Sequence, residues 1–321
     1  MSYIHVQGLC KHFDVRLKRE KGSLLRAKKR VQALQDVSFD VEQGELVGYI
    51  GPNGAGKSTT VKILSGILTP DEGIVTVGSR VPWKERKAHV RRIGVVFGQR
   101  MQLWWDVPIA DSFDLLKEIW HVPDSAYQKR LSELTEALRL EDLLRTPLRQ
   151  LSLGQRMRAE LCGSLLHSPD LLFLDEPTIG LDAVTKFALR DFLLWENREH
   201  HTTILLTTHD MEDIAALCSR VMVLGHGQKL YDGQLPELLS RYDTQRNLTV
   251  RYDRAPELPA LPAQISAFLE NETLRITCRT ADLNMDTLLP LLQQAGTIRE
   301  LIVQPQNIDH LIAAMYQEMG L

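Results

Sequence analysis

Residues 46–59 read LVGYIGPNGAGKST, a short apolar run that passes directly into a loop containing Gly51, Gly54 and Gly56 and closes on Lys57 and Ser58. An apolar run of this length bounded by turn residues reads as a strand buried on both faces. Gly51, Pro52, Asn53, Gly54, Ala55, Gly56, Lys57 and Ser58 fit the pattern G-x-x-x-x-G-K-[ST], and the helix-length segment Ser58–Leu68 follows. Strand, glycine-rich loop and helix start, in that order, make an anion site. The glycines let backbone N–H groups turn inward on phosphates, and the helix N-terminus favours negative charge. Lys57 is placed to reach the terminal phosphates and the Ser58 hydroxyl to bind magnesium. A glycine-rich turn with a stray lysine would lack the flanking strand and helix.

Similar apolar runs recur at Leu171–Leu174, Ile204–Thr208 and Val221–Leu224, with helix-length segments such as Val184–Arg198 between them. Strands alternating with helices predict a parallel sheet and an α/β core. Between residues 100 and 165 the alternation breaks, because Asp111–Trp120, Ser132–Leu144 and Gln155–Leu166 all read as helical. This predicts an inserted helical subdomain. Near residue 241 the composition shifts again, and Pro256, Pro259 and Pro262 space out a stretch that regular helix cannot occupy. Beyond it Leu274, Ile276 and Cys278 alternate as in a strand, while Ile308, Leu311, Ile312, Met315 and Tyr316 follow one helical face. The expected organisation is a large domain over residues 1–240 and a small α+β domain over 241–321.

The composition bounds the function. Hydrophobic residues make up 44% and charged residues 25% of the 321-residue chain, which excludes a disordered or fibrous protein. A formal net charge of −3 argues against nucleic acid as the main partner. The N-terminus, MSYIHVQGLC, lacks a signal-peptide core, and no run approaches the ~18 apolar residues of a membrane span. A cytoplasmic location follows as the expectation. Cys10, Cys162, Cys218 and Cys278 are scattered and form no C-x-x-C pair, so reduced, buried thiols are expected rather than a disulfide or zinc site.

Residues 171–177 read LLFLDEP, an apolar strand delivering Asp175 and Glu176 at its end. An isolated Asp-Glu pair is ordinarily a solvated strand end. Next to a phosphate loop the pair acquires chemistry: Asp175 would hold magnesium through water and Glu176 would polarise an attacking water.

The phosphate loop and the acidic strand occur in many phosphate-loop proteins, and the stretch LSLGQRMRAEL at 151–161 separates them. It resembles the signature motif of ATP-binding cassette proteins, and FGQ at 97–99, GLD at 180–182 and TTHD at 207–210 match the remaining motifs of that family in order and spacing. The resemblance covers roughly residues 1–240. It implies a RecA-like core carrying the helical insertion, ATP and Mg2+ as cofactors, and ATP hydrolysis. It also implies two copies facing head to tail, each ATP lying between the phosphate loop of one and Ser152, Gly154 and Gln155 of the other. A serine hydroxyl and exposed N–H groups at a helix start suit a γ-phosphate. By the same resemblance Gln99 would bind magnesium, His209 would contact the γ-phosphate, and Asp182 would join the two sites across the dimer. Taken singly these have plain readings: a surface histidine, an ordinary glutamine, and a helix cap at Asp182. Phe13 stands where the family carries an aromatic, commonly tyrosine, stacked on adenine. Leu153 departs from the pattern, occupying the place of a second glycine.

The resemblance is greatest to a bacterial group paired with separate ABC-2 type permeases, many of them exporters. It implies a peripheral subunit on the cytoplasmic side of the inner membrane that energises transport; the alternative is a soluble cassette ATPase without a permease. Residues 14–30, DVRLKREKGSLLRAKKR, carry eight Lys or Arg against Asp14 and Glu20. Such a segment is ordinarily a solvated hairpin extension, and it also suits anionic headgroups or a membrane subunit. Trp104 and Trp105 either pack the helical insertion or anchor a permease.

Overall fold

The computed structural model describes residues 2–16, 28–98, 101–242, 245–257, 261–262, 265–279, 283–305 and 308–321. In chain order the first part runs β1 (Ser2–Arg16), β2 (Lys28–Glu42), β3 (Leu46–Ile50), α1 (Lys57–Leu64), β4 (Glu72–Val77), α2 (Arg86–Val90), β5 (Ile93–Phe97), α3 (Ile109–Trp120), α4 (Asp124–Ala137), α5 (Leu153–Leu165), β6 (Leu171–Asp175), α6 (Ala183–His200), β7 (Thr203–Thr207), α7 (Met211–Leu217), β8 (Arg220–Gly225) and β9 (Gln228–Gln234). The remainder is α8 (Leu235–Tyr242), β10 (Gln245–Tyr252), β11 (Ser266–Glu270), β12 (Thr273–Arg279), α9 (Met285–Gln294), β13 (Ile298–Pro305) and α10 (Ile308–Glu318).

The chain divides into two compact units, Met1–Gln234 and Leu235–Leu321. The first contains a six-stranded sheet of order β5-β6-β7-β3-β8-β9 and an antiparallel sheet of order β2-β1-β4. In the larger sheet β3 pairs in parallel with β7 and β8, and β6 with β5 and β7; β9 alone runs antiparallel, against β8. Every residue of β3 and of β7 is buried, as expected of central parallel strands covered on both faces. One apolar cluster joins the two sheets through α1. Ile4, Val6, Val37 and Phe39 of the small sheet meet Val61 and Leu64 of the helix and Val47, Tyr49, Phe173 and Met222 of the large one. Tyr49 also donates its hydroxyl to Thr60 Oγ1 at 3.1 Å, fixing the helix on the strand that precedes it.

The strand expectations lie within one residue of the observed bounds, whereas two helices differ. α1 stops at Leu64 instead of Leu68, because Gly66 adopts φ +74 and a side chain there would meet Pro82 O at 2.8 Å. The helix expected over 132–144 is α4, which starts after Pro123, an N-terminal position suited to proline, and stops before Arg139 at φ 52. Residues 141–143 form a short 3-10 turn. Cys10 is only partly buried, in contrast to Cys162, Cys218 and Cys278. It lies on β1 opposite Glu72 of β4, where its sulfur accepts from Asp36 N at 3.3 Å.

The second unit is a four-stranded antiparallel sheet of order β11-β12-β10-β13. Alternate residues Leu248, Val250 and Tyr252 of β10 and Leu274, Ile276 and Cys278 of β12 bury one face against Leu288 and Leu292 of α9. This unit begins at Leu235, ahead of the compositional shift near 241, since α8 buries Leu235 and Leu238 and packs with α10. Among the described residues no helix is long and apolar enough to cross a membrane.

Candidate functional site

The loop between β3 and α1 owes its glycines to neighbouring backbone. A side chain on Gly51 would lie 2.3 Å from Leu224 O, and one on Gly56, at φ +110, would lie 2.6 Å from Leu34 Cδ2 and 2.8 Å from Ala33 O. Gly54, at φ +83, has no atom within 4 Å of that position, so the loop is open on that side and a ligand can approach its backbone. Ala55 N donates to Pro52 O at 3.1 Å and tightens the turn through Asn53. Lys57 is buried and folds back over the loop, its Nζ donating to Gly51 O at 2.6 Å and to Pro52 O at 3.2 Å. Burial lowers its pKa, and the carboxylates of Glu176 and Asp175 oppose that shift. A buried ammonium whose hydrogen bonds are to carbonyls can exchange them for phosphate oxygens.

Ser58 and Asp175 are brought together across the sheet, Oγ donating to Oδ1 at 3.3 Å, and Thr207 Oγ1 donates to the same oxygen at 2.5 Å. Two hard oxygen donors beside a phosphate loop fit Mg2+, which takes one or two protein oxygens and completes its shell with phosphate and water. Gln99 lies outside the described residues.

Glu176 follows the end of β6 with φ 56, a left-handed conformation rare for a non-glycine residue. Its backbone N–H donates to Thr207 O at 2.8 Å, and Gly98 N donates to Asp175 O at 2.8 Å. A side chain at Gly98 would lie 2.4 Å from Glu176 O, so glycine is needed there. Past the end of β7, His209 places Nδ1 3.2 Å from Glu176 Oε2. The geometry thus unites the carboxylate and the histidine, with Glu176 partly shielded and His209 open to solvent.

Ser152 caps α5 in a reciprocal box with Gln155: Ser152 N donates to Gln155 Oε1 at 2.8 Å and Gln155 N to Ser152 Oγ at 3.3 Å. A side chain on Gly154 would lie 2.7 Å from Thr185 Cγ2, so this glycine is fixed by the start of α6. Leu153 is exposed and does not disturb the helix start. Asp182 caps α6, accepting from Thr185 N and Thr185 Oγ1 at 2.9 Å each, and these bonds hold its carboxyl below the usual range. Phe13 is half exposed, paired with Val31 across the β1–β2 ribbon, with Lys11 Nζ 5.6 Å from its ring centre.

Of the basic segment, residues 17–27 lie outside the described residues. Trp104 and Trp105 are both exposed, and the Arg156 guanidinium stacks 4.6 Å from the Trp105 ring centre. Gln102 N and Leu103 N donate to the buried Glu160 carboxylate, which pins this segment to α5. Beside it a groove of about 180 Å³ is lined by Phe97, Gln102, Trp120, Ser164 and His167 among others.

Sequence reasoning missed a second layer behind Glu176 and His209, made by Thr178, Lys186, Arg190, Asp210 and Asp213. Its one legible signal is the spacing of Asp182, Lys186 and Arg190, which puts all three on one helical face.

Strand, loop and helix, with Lys57, Ser58 and Asp175 converging at the strand ends, define a nucleotide-binding protein of the phosphate-loop class. The family described as ABC transporter matches residues 34–179. The chain is 32% identical over 225 residues to the ABC transporter ATP-binding protein NatA of Bacillus subtilis, covering 70% of this chain and 90% of that protein. It is 34% identical to the Nod factor export ATP-binding protein I of Ralstonia nicotianae, over 77% of this chain and 76% of that one. It is also 34% identical to the methionine import ATP-binding protein MetN 2 of Enterococcus faecalis, over 67% of this chain and 64% of that one. Among solved structures, a dimeric ATP-binding cassette in a post-hydrolysis state with ADP and Pi superimposes with a TM-score of 0.61 at 24% identity, covering 72% of this chain and 98% of that chain. The chain belongs to the ATP-binding proteins of ABC transporters, and is an ATP-hydrolysing subunit of that family.

Proposed function

We propose that this ATPase drives export through separate ABC-2 type permease subunits at the cytoplasmic face of the cell membrane. Export is supported by the Nod factor export relative, matched over 76% of its length, against 64–71% for the methionine import relatives. The exposed Trp104 and Trp105, which follow Gln102 of the groove in sequence, suit an apolar permease segment. The basic segment 14–30 would add contact with the permease or with anionic headgroups.

The observation that carries the site reading is the 3.2 Å contact of Glu176 with His209 at the same strand ends as the Ser58–Asp175 pair. Backbone N–H groups of residues 53–56, in the loop opened by Gly51 and Pro52, with Lys57, Ser58 and Thr59, bind the phosphates, and Phe13 offers a ring face to adenine. Ser58, Gln99 and Asp175 would hold Mg2+, which when bound would screen phosphate charge. Glu176 accepts the proton of the attacking water, while His209 orients Glu176 and reaches the γ-phosphate. Ser152, Gly154 and Gln155 of a second copy close the site, and Asp182 links the two halves. The Ser152 box leaves the N–H groups of Leu153 and Gly154 free of side-chain caps, which suits an incoming anion.

The test is purification of the chain from native membranes and reconstitution with what accompanies it. A co-purified permease with ATP-driven efflux, abolished by Glu176→Gln with loss of ~10²–10⁴-fold in turnover, is the expected result. Turnover by the chain alone, with no membrane partner recovered, would favour a soluble ATPase instead.

A further inference from the structure

Behind the proposed reacting groups, three segments converge on one fully buried carboxylate. Asp213 lies on α7, four residues after His209, and is 0% exposed. Its Oδ2 accepts from the hydroxyl of Thr178, two residues after Glu176, at 2.5 Å. Its Oδ1 lies 2.6 Å from both Nε and Nη2 of Arg190, on α6 two turns beyond the Asp182 cap. Nearer the surface, Lys186 pairs with Asp210, which in turn caps α7 by accepting from Glu212 N and Asp213 N.

We infer that Asp213, acting through Thr178 and braced by Arg190, is a positioning residue that sets the placement of Glu176 against His209. The inference rests on the roles proposed above for those two residues. Glu176 sits at φ 56, a left-handed conformation that strains a non-glycine residue and persists only where its surroundings over-determine it. Two ties hold it, one on each side. Before the side chain, Glu176 N–H donates to Thr207 O, two residues ahead of His209; after it, Thr178 bonds Asp213, four residues past His209. The strained carboxylate-bearing turn is thereby stapled at both ends to the segment that carries the histidine. A buried ion pair adds little stability over packed apolar residues, so geometry is the better account of a charged junction here. A misplacement of ~1 Å at reacting groups costs about 10²-fold in rate.

The experiment uses the full chain and Thr178→Val, which removes one hydroxyl and keeps the branched shape. Positioning predicts a kcat about 10-fold or more below the parent with KM for ATP within about twofold, since binding does not depend on this junction. Thr178→Ser, which restores the hydroxyl, should recover most of the lost turnover. In the His209→Ala background Thr178→Val should add almost nothing, because the placement it secures no longer has a partner. A kcat for Thr178→Val within twofold of the parent, or losses that simply multiply with those of His209→Ala, would overturn the inference while leaving the site reading intact. Normal turnover in Glu176→Gln would overturn both.

Discussion

Arg130 on α4 and Glu196 on α6 form a buried ion pair, with Arg130 Nη2 2.6 Å from Oε1 and 2.7 Å from Oε2 of the carboxylate. Thr202 donates to the same carboxylate at 2.9 Å, and Arg130 Nε reaches Leu165 O at the end of α5 at 3.4 Å. One guanidinium therefore joins two helices of the insertion to a core helix. Removing Glu196 leaves the buried guanidinium only Glu133 as a carboxylate partner, on its own helix and 2.9 Å from Nη1, so Glu196→Ala should destabilise by about 3 kcal/mol. The double replacement Arg130→Met with Glu196→Leu should cost far less than the two single changes summed, because it removes both charges together. Urea unfolding of the parent, Arg130→Met, Glu196→Leu and the double variant checks this, and additive losses would disprove it.

The phosphate loop separates steric from ligand demands on glycine. A methyl on Gly56 meets Leu34 Cδ2 at 2.6 Å and Ala33 O at 2.8 Å at a φ of +110, so Gly56→Ala should lower stability by about 2 kcal/mol or more and weaken ATP binding with it. A methyl on Gly54 meets nothing within 4 Å and carries only the strain of φ +83. Gly54→Ala should therefore cost about 1 kcal/mol in stability yet still weaken ATP binding, through the backbone approach it blocks. Melting curves with and without ATP distinguish the two effects.

His167 stacks on Trp120 with ring centres 4.6 Å apart, and its Nε2 lies 3.0 Å from Ile93 O. Its Nδ1 is buried without a hydrogen-bond partner. Burial is the main cause that pushes its pKa down from 6.5 to about 4, opposed by the bond to Ile93 O. A histidine with a lowered folded pKa binds fewer protons when folded, so its contribution is complete above pH 6.5 and is lost as pH falls towards 4. The span corresponds to about 3 kcal/mol at most. Stability measured from pH 7 to pH 4 should fall less steeply in His167→Phe than in the parent, and parallel curves would refute the assignment.

The phosphate loop was legible because its pattern is local: a strand, a loop and a helix start follow one another within residues 46–64. Leu171–Asp175 was legible for the same reason, as an apolar run with acids at its end. The start of α4 was not, because Pro123 sets it while the apolar spacing continues past its end at Ala137. Asp182 illustrates a sequence reading with two branches, and the structure makes it a helix cap whose carboxylate stands at the start of α6.

By itself, then, the sequence determined the α/β class, the phosphate loop and the acidic strand, since each depends on residues adjacent in the chain and on side-chain periodicity. The motifs assigned Ser58 and Asp175, 117 residues apart, to magnesium and Glu176 and His209 to one reacting site, and tertiary structure supplied the direct contacts within each pair. It also decided the junction of Thr178, Arg190 and Asp213 and the buried pair of Arg130 with Glu196. These contacts depend on which strands pair and which helix faces meet. A carboxylate looks the same in sequence whether it is solvated or desolvated beside a partner from another element, and burial is what turns it into a constraint.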